Sequence, residues 1–297
     1  MSTMTLKDVG YTYKSKYQTV NALAGVSYEF RPGYFYAIVG RSGSGKTTML
    51  SLMAGLDIPT SGSVAFGEKS TKNINRDKFR LEHVSVIYQS LNLFPLLTAI
   101  ENVMFPLEYC GMSRSKAKKI AVEKLESVGI DKPKHRRLPS MLSGGEQQRV
   151  AIARALAAKS EVILADEPTG NLDSENSLNI VQLLKELAVS ENVCVIVVTH
   201  DPAVAERADV VIKLSDGLIV EGPAVNERDL AEERNIEIVN YQSNIDSKKT
   251  EWNLNRKEMK TQHELTPGNA NKHTSRAKNM KMLIDQNKKR AKQTSLE

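Results

Sequence analysis

Two hydrophobic rhythms alternate along this chain up to about residue 222. Short runs of aliphatic and β-branched residues take turns with segments in which apolar side chains recur every three to four positions. Residues 36–39, 162–165 and 193–198 are continuously apolar, the pattern of strands covered on both faces. Within Val86-Ile-Tyr-Gln-Ser, Gln89 ends a further strand. Helical spacing covers residues 46–55 and 146–158. This alternation predicts an α/β domain with a mostly parallel core sheet. Between about residues 96 and 140 the strand candidates vanish. There, residues 98–110 and 113–128 carry helical spacing with Lys-rich outer faces, predicting a helical subdomain, at about 90–142, inserted in the sheet domain. Asp216-Gly217, set between two β-rich runs, predicts a hairpin, and Gly222-Pro223 ends the patterning. The first domain is therefore read as 1–222.

The remainder differs in composition. A Glu/Arg-rich stretch at 226–238 predicts a short helix within a linker at 223–247, and residues 248–297 are rich in Asn, Lys, Gln, Ser and Thr. Such a segment buries too little apolar surface to offset its ordering entropy, which predicts a disordered tail. The tail holds 13 Lys/Arg against 5 Asp/Glu, a balance of +8, so the net +6 of the whole chain leaves −2 for residues 1–247. Met280, Met282, Leu283 and Ile284, followed by Lys288, Lys289, Arg290 and Lys292, have the makings of a weak basic amphipathic helix. This tail is either simply solvated or drawn to an anionic membrane surface.

Composition narrows the class further. An apolar content of 40% supports a real core. The longest apolar runs fall well short of the roughly 18 residues of a membrane span, and the first residues lack the basic-then-apolar layout of a secretory signal. Cys110 and Cys194 are far apart, without metal-ligand spacing, and read as reduced thiols of a cytoplasmic protein.

The chemistry sits at the predicted strand ends. Gly40, Ser42, Gly43, Ser44, Gly45, Lys46 and Thr47 form a G-x-x-x-x-G-K-T loop between a strand and a helix. In such a loop backbone N–H groups curl round phosphates, the lysine reaches the β/γ oxygens and the hydroxyl holds Mg²⁺, with Thr48 a further phosphate contact. Ser143, Gly144 and Gly145 precede a second helix, whose N-terminus offers free N–H donors and a positive dipole end. Asp166 and Glu167 end one apolar strand, placing a metal-binding carboxylate beside one suited to polarise an attacking water. His200 ends the next strand, where a γ-phosphate sensor would stand, and Gln89 ends another.

In this order the motifs resemble those of the nucleotide-binding subunit of an ATP-binding cassette (ABC) transporter, over residues 3–222. The resemblance implies a P-loop NTPase fold with an added antiparallel β subdomain, and ATP and Mg²⁺ as cofactors. It also assigns roles. Tyr13, next but one to Tyr11 with the same ring, would stack on adenine; Gln89 would be the lid glutamine and, with Thr47 and Asp166, a metal contact. Ser143 to Gly145 would be the signature, residues 171–173, ending in Asp173, the D-loop, and His200 the switch histidine. Signature and phosphate loop would meet across two copies, in a head-to-tail dimer sandwiching two nucleotides. Within the family, residues 88–95, 98–103 and 168–174 resemble the group of macrolide exporters, lipoprotein-releasing systems and antimicrobial-peptide exporters. That implies a separate membrane permease, docked near residues 91–105, and a place on the inner face of a bacterial cell membrane. The group also includes non-transporting mechanotransmission ATPases of the cell-division type, an alternative the same motifs serve. No nucleic-acid partner is expected, because a long coiled coil, a duplicated cassette and zinc-binding cysteines are all lacking.

Overall fold

The computed structural model describes residues 2–221 except 159 and 171. The proposed linker at 223–247, its helix at 226–238 and the basic tail at 248–297 lie outside the described residues.

Two sheets are present. Strands β1 (Met4–Lys14), β2 (Thr19–Phe30), β4 (Ser61–Phe66) and β5 (Lys69–Ser70) form an antiparallel sheet in the order β2-β1-β4-β5. The core sheet runs β10-β9-β3-β8-β7-β6, from β3 (Phe35–Val39), β6 (Val84–Ile87), β7 (Val162–Asp166), β8 (Cys194–Thr199), β9 (Val210–Ser215) and β10 (Leu218–Glu221). Its pairings are parallel except for β10, the return arm of the Asp216-Gly217 hairpin.

The uninterrupted apolar runs behave as their pattern requires. Along β8, Val195 and Val197 enter one core, while Cys194, Ile196 and Val198 enter another on the opposite face. Side chains alternate sides along a strand, so a strand with two apolar cores must be apolar throughout. Burying one such side chain contributes about 2 kcal/mol. One core is shared with α1 (Lys46–Met53) and the antiparallel sheet. The other is shared with α3 (Ala99–Tyr109), α4 (Arg114–Ser127), α5 (Gly144–Ala157) and α6 (Ser174–Ser190). Two short helices, α2 (Arg76–Glu82) and α7 (Pro202–Ala205), complete the described part.

Between β6 and α5 the chain has helices and 3-10 turns but no strand. Thr98 and Ser113 sit at the N-caps of α3 and α4 rather than within them. Thr98 and Glu101 form a capping box, in which the Thr98 N–H donates to Glu101 Oε2 at 3.0 Å. Buried Asn102 then ties the preceding loop to α3: its Nδ2 donates to the carbonyls of Phe94, Leu97 and Thr98, and its Oδ1 accepts from Phe94 N–H. Helices α3 and α4 pack with α5 into one apolar cluster continuous with the sheet face.

Candidate functional site

Sheet order gathers the motifs. Register pairs Val39 with Thr199, Asp166 with Val198, and Ile87 with Ala165. The four neighbouring strands β3, β8, β7 and β6 therefore finish at one edge. The residues that follow, Gly40 to Thr47, His200, Glu167 and Gln89, emerge together although they span 160 positions of sequence. In parallel sheets this edge, beyond the strand C-termini, is where ligands bind.

The glycine loop turns tightly out of β3. A Cβ on Gly40 would run into the Leu214 carbonyl, and Gly45, at φ 101°, takes a left-handed conformation that suits glycine. Lys46, only 8% exposed, folds back over the loop, where its Nζ donates to Gly40 O at 2.8 Å and Arg41 O at 3.0 Å. Ser44 Oγ is buried and has no hydrogen-bond partner among the described residues. A buried hydroxyl normally has a partner, so this loop suits an oxygen-rich ligand such as a phosphate chain.

Asp166 stands beside it. Its carboxyl pKa is raised, first by burial and then by repulsion from Glu167, with partial compensation from a Thr47 hydrogen bond and the Lys46 charge. Two neighbouring carboxylates with too little positive charge, next to a threonine hydroxyl, make an oxygen set suited to Mg²⁺. The residues present fit that ion.

Glu167 is held by its neighbours. It has φ 45°, unusual for a residue with a side chain, and its N–H donates to Val198 O at 2.9 Å on β8. One carboxylate oxygen lies 2.7 Å from His200 Nδ1, and the other accepts from Thr199 Oγ1 at 3.1 Å. The Glu167 side chain is 16% exposed and that of His200 74%, so a partly desolvated carboxylate leans on an accessible imidazole. Thr199 Oγ1 also accepts the Asp201 N–H at 3.0 Å, which fixes its hydroxyl toward Glu167. Thr199 is a residue that sequence reading missed. Its signal was its place, the last apolar-strand position before His200.

Gln89 shares a cleft of about 180 Å³ with Ser90, Gly144, Gln148 and Glu167. Gln148, also missed, is buried with its Nε2 unpartnered among the described residues. Tyr13 rather than Tyr11 reaches the phosphate loop: its hydroxyl is 3.2 Å from Thr48 Oγ1 and its ring is 47% exposed. Tyr11 packs against the core and meets Tyr13 edge to face at 4.8 Å.

Ser143 is the N-cap of α5. Its Oγ accepts from Glu146 N–H, and Glu146 Oε2 accepts from Ser143 N–H at 2.9 Å. That backbone N–H, aided by Lys134 at 3.0 Å, lowers the Glu146 pKa. Asp173 caps α6 through Asn176 N–H, and the Asn176 side chain lies against Gly145. Ser143 to Gly145 and Asp173 thus form a second group. Among the described residues, no hydrogen bond joins Ser143, Gly144 or Gly145 to the loop from Gly40 to Thr48.

The ABC transporter family model matches residues 23–170. The uncharacterized ABC transporter ATP-binding protein YclH of Bacillus subtilis is 43% identical over 217 residues, 73% of this chain and 95% of that protein. The chain belongs to the ABC transporter ATP-binding family. The lipoprotein-releasing system ATP-binding protein LolD of Legionella pneumophila is 42% identical, covering 72% of this ABC ATPase and 95% of LolD. Among solved structures, the cassette MJ0796, captured as a dimer in a post-hydrolysis state bound to ADP and Pi, superposes with TM-score 0.68 at 41% identity. That match covers 74% of this chain and 97% of the other.

Proposed function

We propose that this ABC ATPase powers a separate membrane permease which exports or extracts a peptide, lipid-like or other amphipathic compound. In this reading the loop from Gly40 to Gly45 and Lys46 grip the phosphates of ATP, Thr48 adds a contact, and the exposed Tyr13 ring stacks on the base. Thr47, Asp166 and Gln89 would hold Mg²⁺, which when bound would supply positive charge beside the phosphates. Glu167 polarises the attacking water. His200 and Thr199 keep its carboxylate aimed and reduce its freedom before reaction. The observation that carries the reading is that doubly held Glu167 carboxylate, at the sheet edge where the phosphate loop also begins.

Ser143, Gly144 and Asp173 are exposed and grouped apart from the phosphate loop. They fit an ATP held by a second copy of the chain, in a sandwich with two composite sites. Among the described residues no helix is long and apolar enough to cross a membrane, so the attachment proposed is to the permease on the cytoplasmic face. The docking surface would be the start of the helical segment. There Leu96 is 75% exposed, and Phe94, Phe105 and Tyr109 form a run of ring contacts with Tyr109 also exposed. The basic tail is assigned to the anionic membrane surface beside that permease.

Affinity purification of the Glu167→Gln chain from its native membranes with ATP tests the partner. A polytopic permease should come with it, whereas recovery of only soluble protein or nucleic acid would contradict the proposal. A permease accompanied by a cell-wall hydrolase would instead favour mechanotransmission over transport. Thr199 gives a second test. Thr199→Val removes a hydrogen bond to a charged group and should lower ATP turnover about tenfold. Thr199→Ser keeps the hydroxyl and should stay within about twofold of the wild-type rate. Equal rates for valine and serine would remove Thr199 from the site.

A further inference from the structure

Gln89 leads into a strained turn. The residues two and three beyond it, Leu91 at φ 59° and Asn92 at φ 45°, are consecutive left-handed residues, neither of them glycine. This backbone crowds Cβ against the chain and is less tolerable for leucine than for asparagine. Strain of this kind persists only where the surroundings over-determine it.

Arg154, in the last turn of α5, supplies the fixing contacts. Its Nη2 donates to Leu91 O at 2.7 Å and its Nη1 to Asn92 O at 2.8 Å. Within the turn, Leu91 N–H donates to Tyr88 O, Asn92 N–H to Ser90 O, and Ser90 Oγ to Asn92 Oδ1. A planar guanidinium presents two donors in fixed geometry, which an ammonium cannot reproduce. Burial pushes the Arg154 pKa down, yet arginine stays charged, so these bonds are charge-assisted. Beyond the turn, Asn102 anchors the next stretch of the loop to α3.

The same helix begins at Gly144, next to Ser143, about 15 Å away at 1.5 Å per residue. One rigid element therefore carries Ser143 to Gly145 at its start and grips the Gln89 loop at its end. We infer that Arg154 is a positioning residue: it locks the left-handed Leu91-Asn92 turn, sets where Gln89 stands, and makes α5 a rod linking Gln89 to the helix N-terminus offered to the second copy. This rests on the proposed nucleotide roles of Gln89 and Ser143 to Gly145. Arg154 touches neither nucleotide nor water in this scheme; it acts through the loop.

The test uses the full chain carrying Arg154→Gln, Arg154→Lys and Leu91→Gly, singly and with each arginine variant combined with Leu91→Gly. ATP turnover, binding of a fluorescent ATP analogue and thermal unfolding are measured for each. Arg154→Gln should lower kcat about tenfold, the loss of one strong charge-assisted contact. Analogue affinity should change by less than about threefold, because the phosphate loop is untouched. Arg154→Lys should fall between, since lysine satisfies one carbonyl well. The deciding readout is rescue. Glycine adopts the left-handed turn without a clamp, so Leu91→Gly should raise kcat by about threefold in the Arg154→Gln background and by less in the wild type. A kcat within twofold of wild type for Arg154→Gln, or a loss that Leu91→Gly does not relieve, overturns the inference. Should Arg154→Gln fail to fold, the Arg154→Lys pair decides by the same comparison. Lys46→Ala is run alongside: turnover surviving in that variant would mean that the nucleotide reading, rather than the Arg154 link, has failed.

Discussion

Lys46→Ala is expected to reduce ATP turnover to below about 1% of wild type and to weaken nucleotide binding about tenfold or more, one charge-assisted contact being worth roughly that factor. The physical reason is local. The Lys46 ammonium is buried over the loop and bonded to the Gly40 and Arg41 carbonyls, placed before any ligand arrives. Such an ammonium exchanges carbonyl contacts for phosphate oxygens at little ordering cost, and its charge counters the repulsion among them. Alanine leaves Asp166 and Glu167 facing the phosphates with less positive charge nearby. The lysine already offsets part of the Asp166 pKa shift, so its loss should raise that pKa further. Phosphate-release assays and titration with a fluorescent nucleotide, each with a thermal melt to confirm folding, read the outcome. Hydrolysis at the wild-type rate would remove the loop from the mechanism.

Glu167→Gln is the second large effect, with a different signature. Glutamine keeps the length and most of the shape of glutamate but loses the negative charge, and with it the ability to polarise water. Turnover should fall by about two to three orders of magnitude, the scale of losing a positioned general base. ATP affinity should stay within about threefold, since neither Lys46 nor the glycine loop is altered. The variant should also keep its fold. Thr199 Oγ1 still has an acceptor, and the strained φ of Glu167 depends on backbone bonding to Val198, not on the charge. Equal loss of binding and turnover would mean that Glu167 supports the loop and does not serve the water.

Much of this arrangement was legible along the chain, for physical reasons. A strand between two apolar cores must be apolar throughout, so β7 and β8 announced themselves and their polar ends marked the site edge. Helices α3, α4 and α5 were visible through their spacing, while their true starts lay at caps set by hydrogen bonds rather than by hydrophobicity. The antiparallel sheet was known only through family resemblance. Register shifts interrupt β1 after Leu6, Val9 and Tyr11, which destroys the two-residue alternation that would betray it. That Tyr13 rather than Tyr11 reaches the phosphate loop is visible only in the fold, because their rings are alike and Thr48 lies 35 positions from Tyr13. The contacts of Arg154 and Thr199 were hidden for a similar reason. Their partners lie 62 and 63, and 32, positions away and come near only because the sheet order does not follow the chain. An arginine in the last turn of a helix looks like solvated charge until the left-handed carbonyls it holds are seen.

The central claim is that one chain contributes the phosphate loop to one nucleotide and Ser143 to Gly145 to another. Sedimentation of the full-length Glu167→Gln chain with saturating ATP and Mg²⁺, against ADP and against a Lys46→Ala/Glu167→Gln chain, tests it most directly. A doubling of mass with ATP alone, absent in the double variant, is the predicted result. A chain that demonstrably binds ATP yet sediments as a single copy would contradict the sandwich.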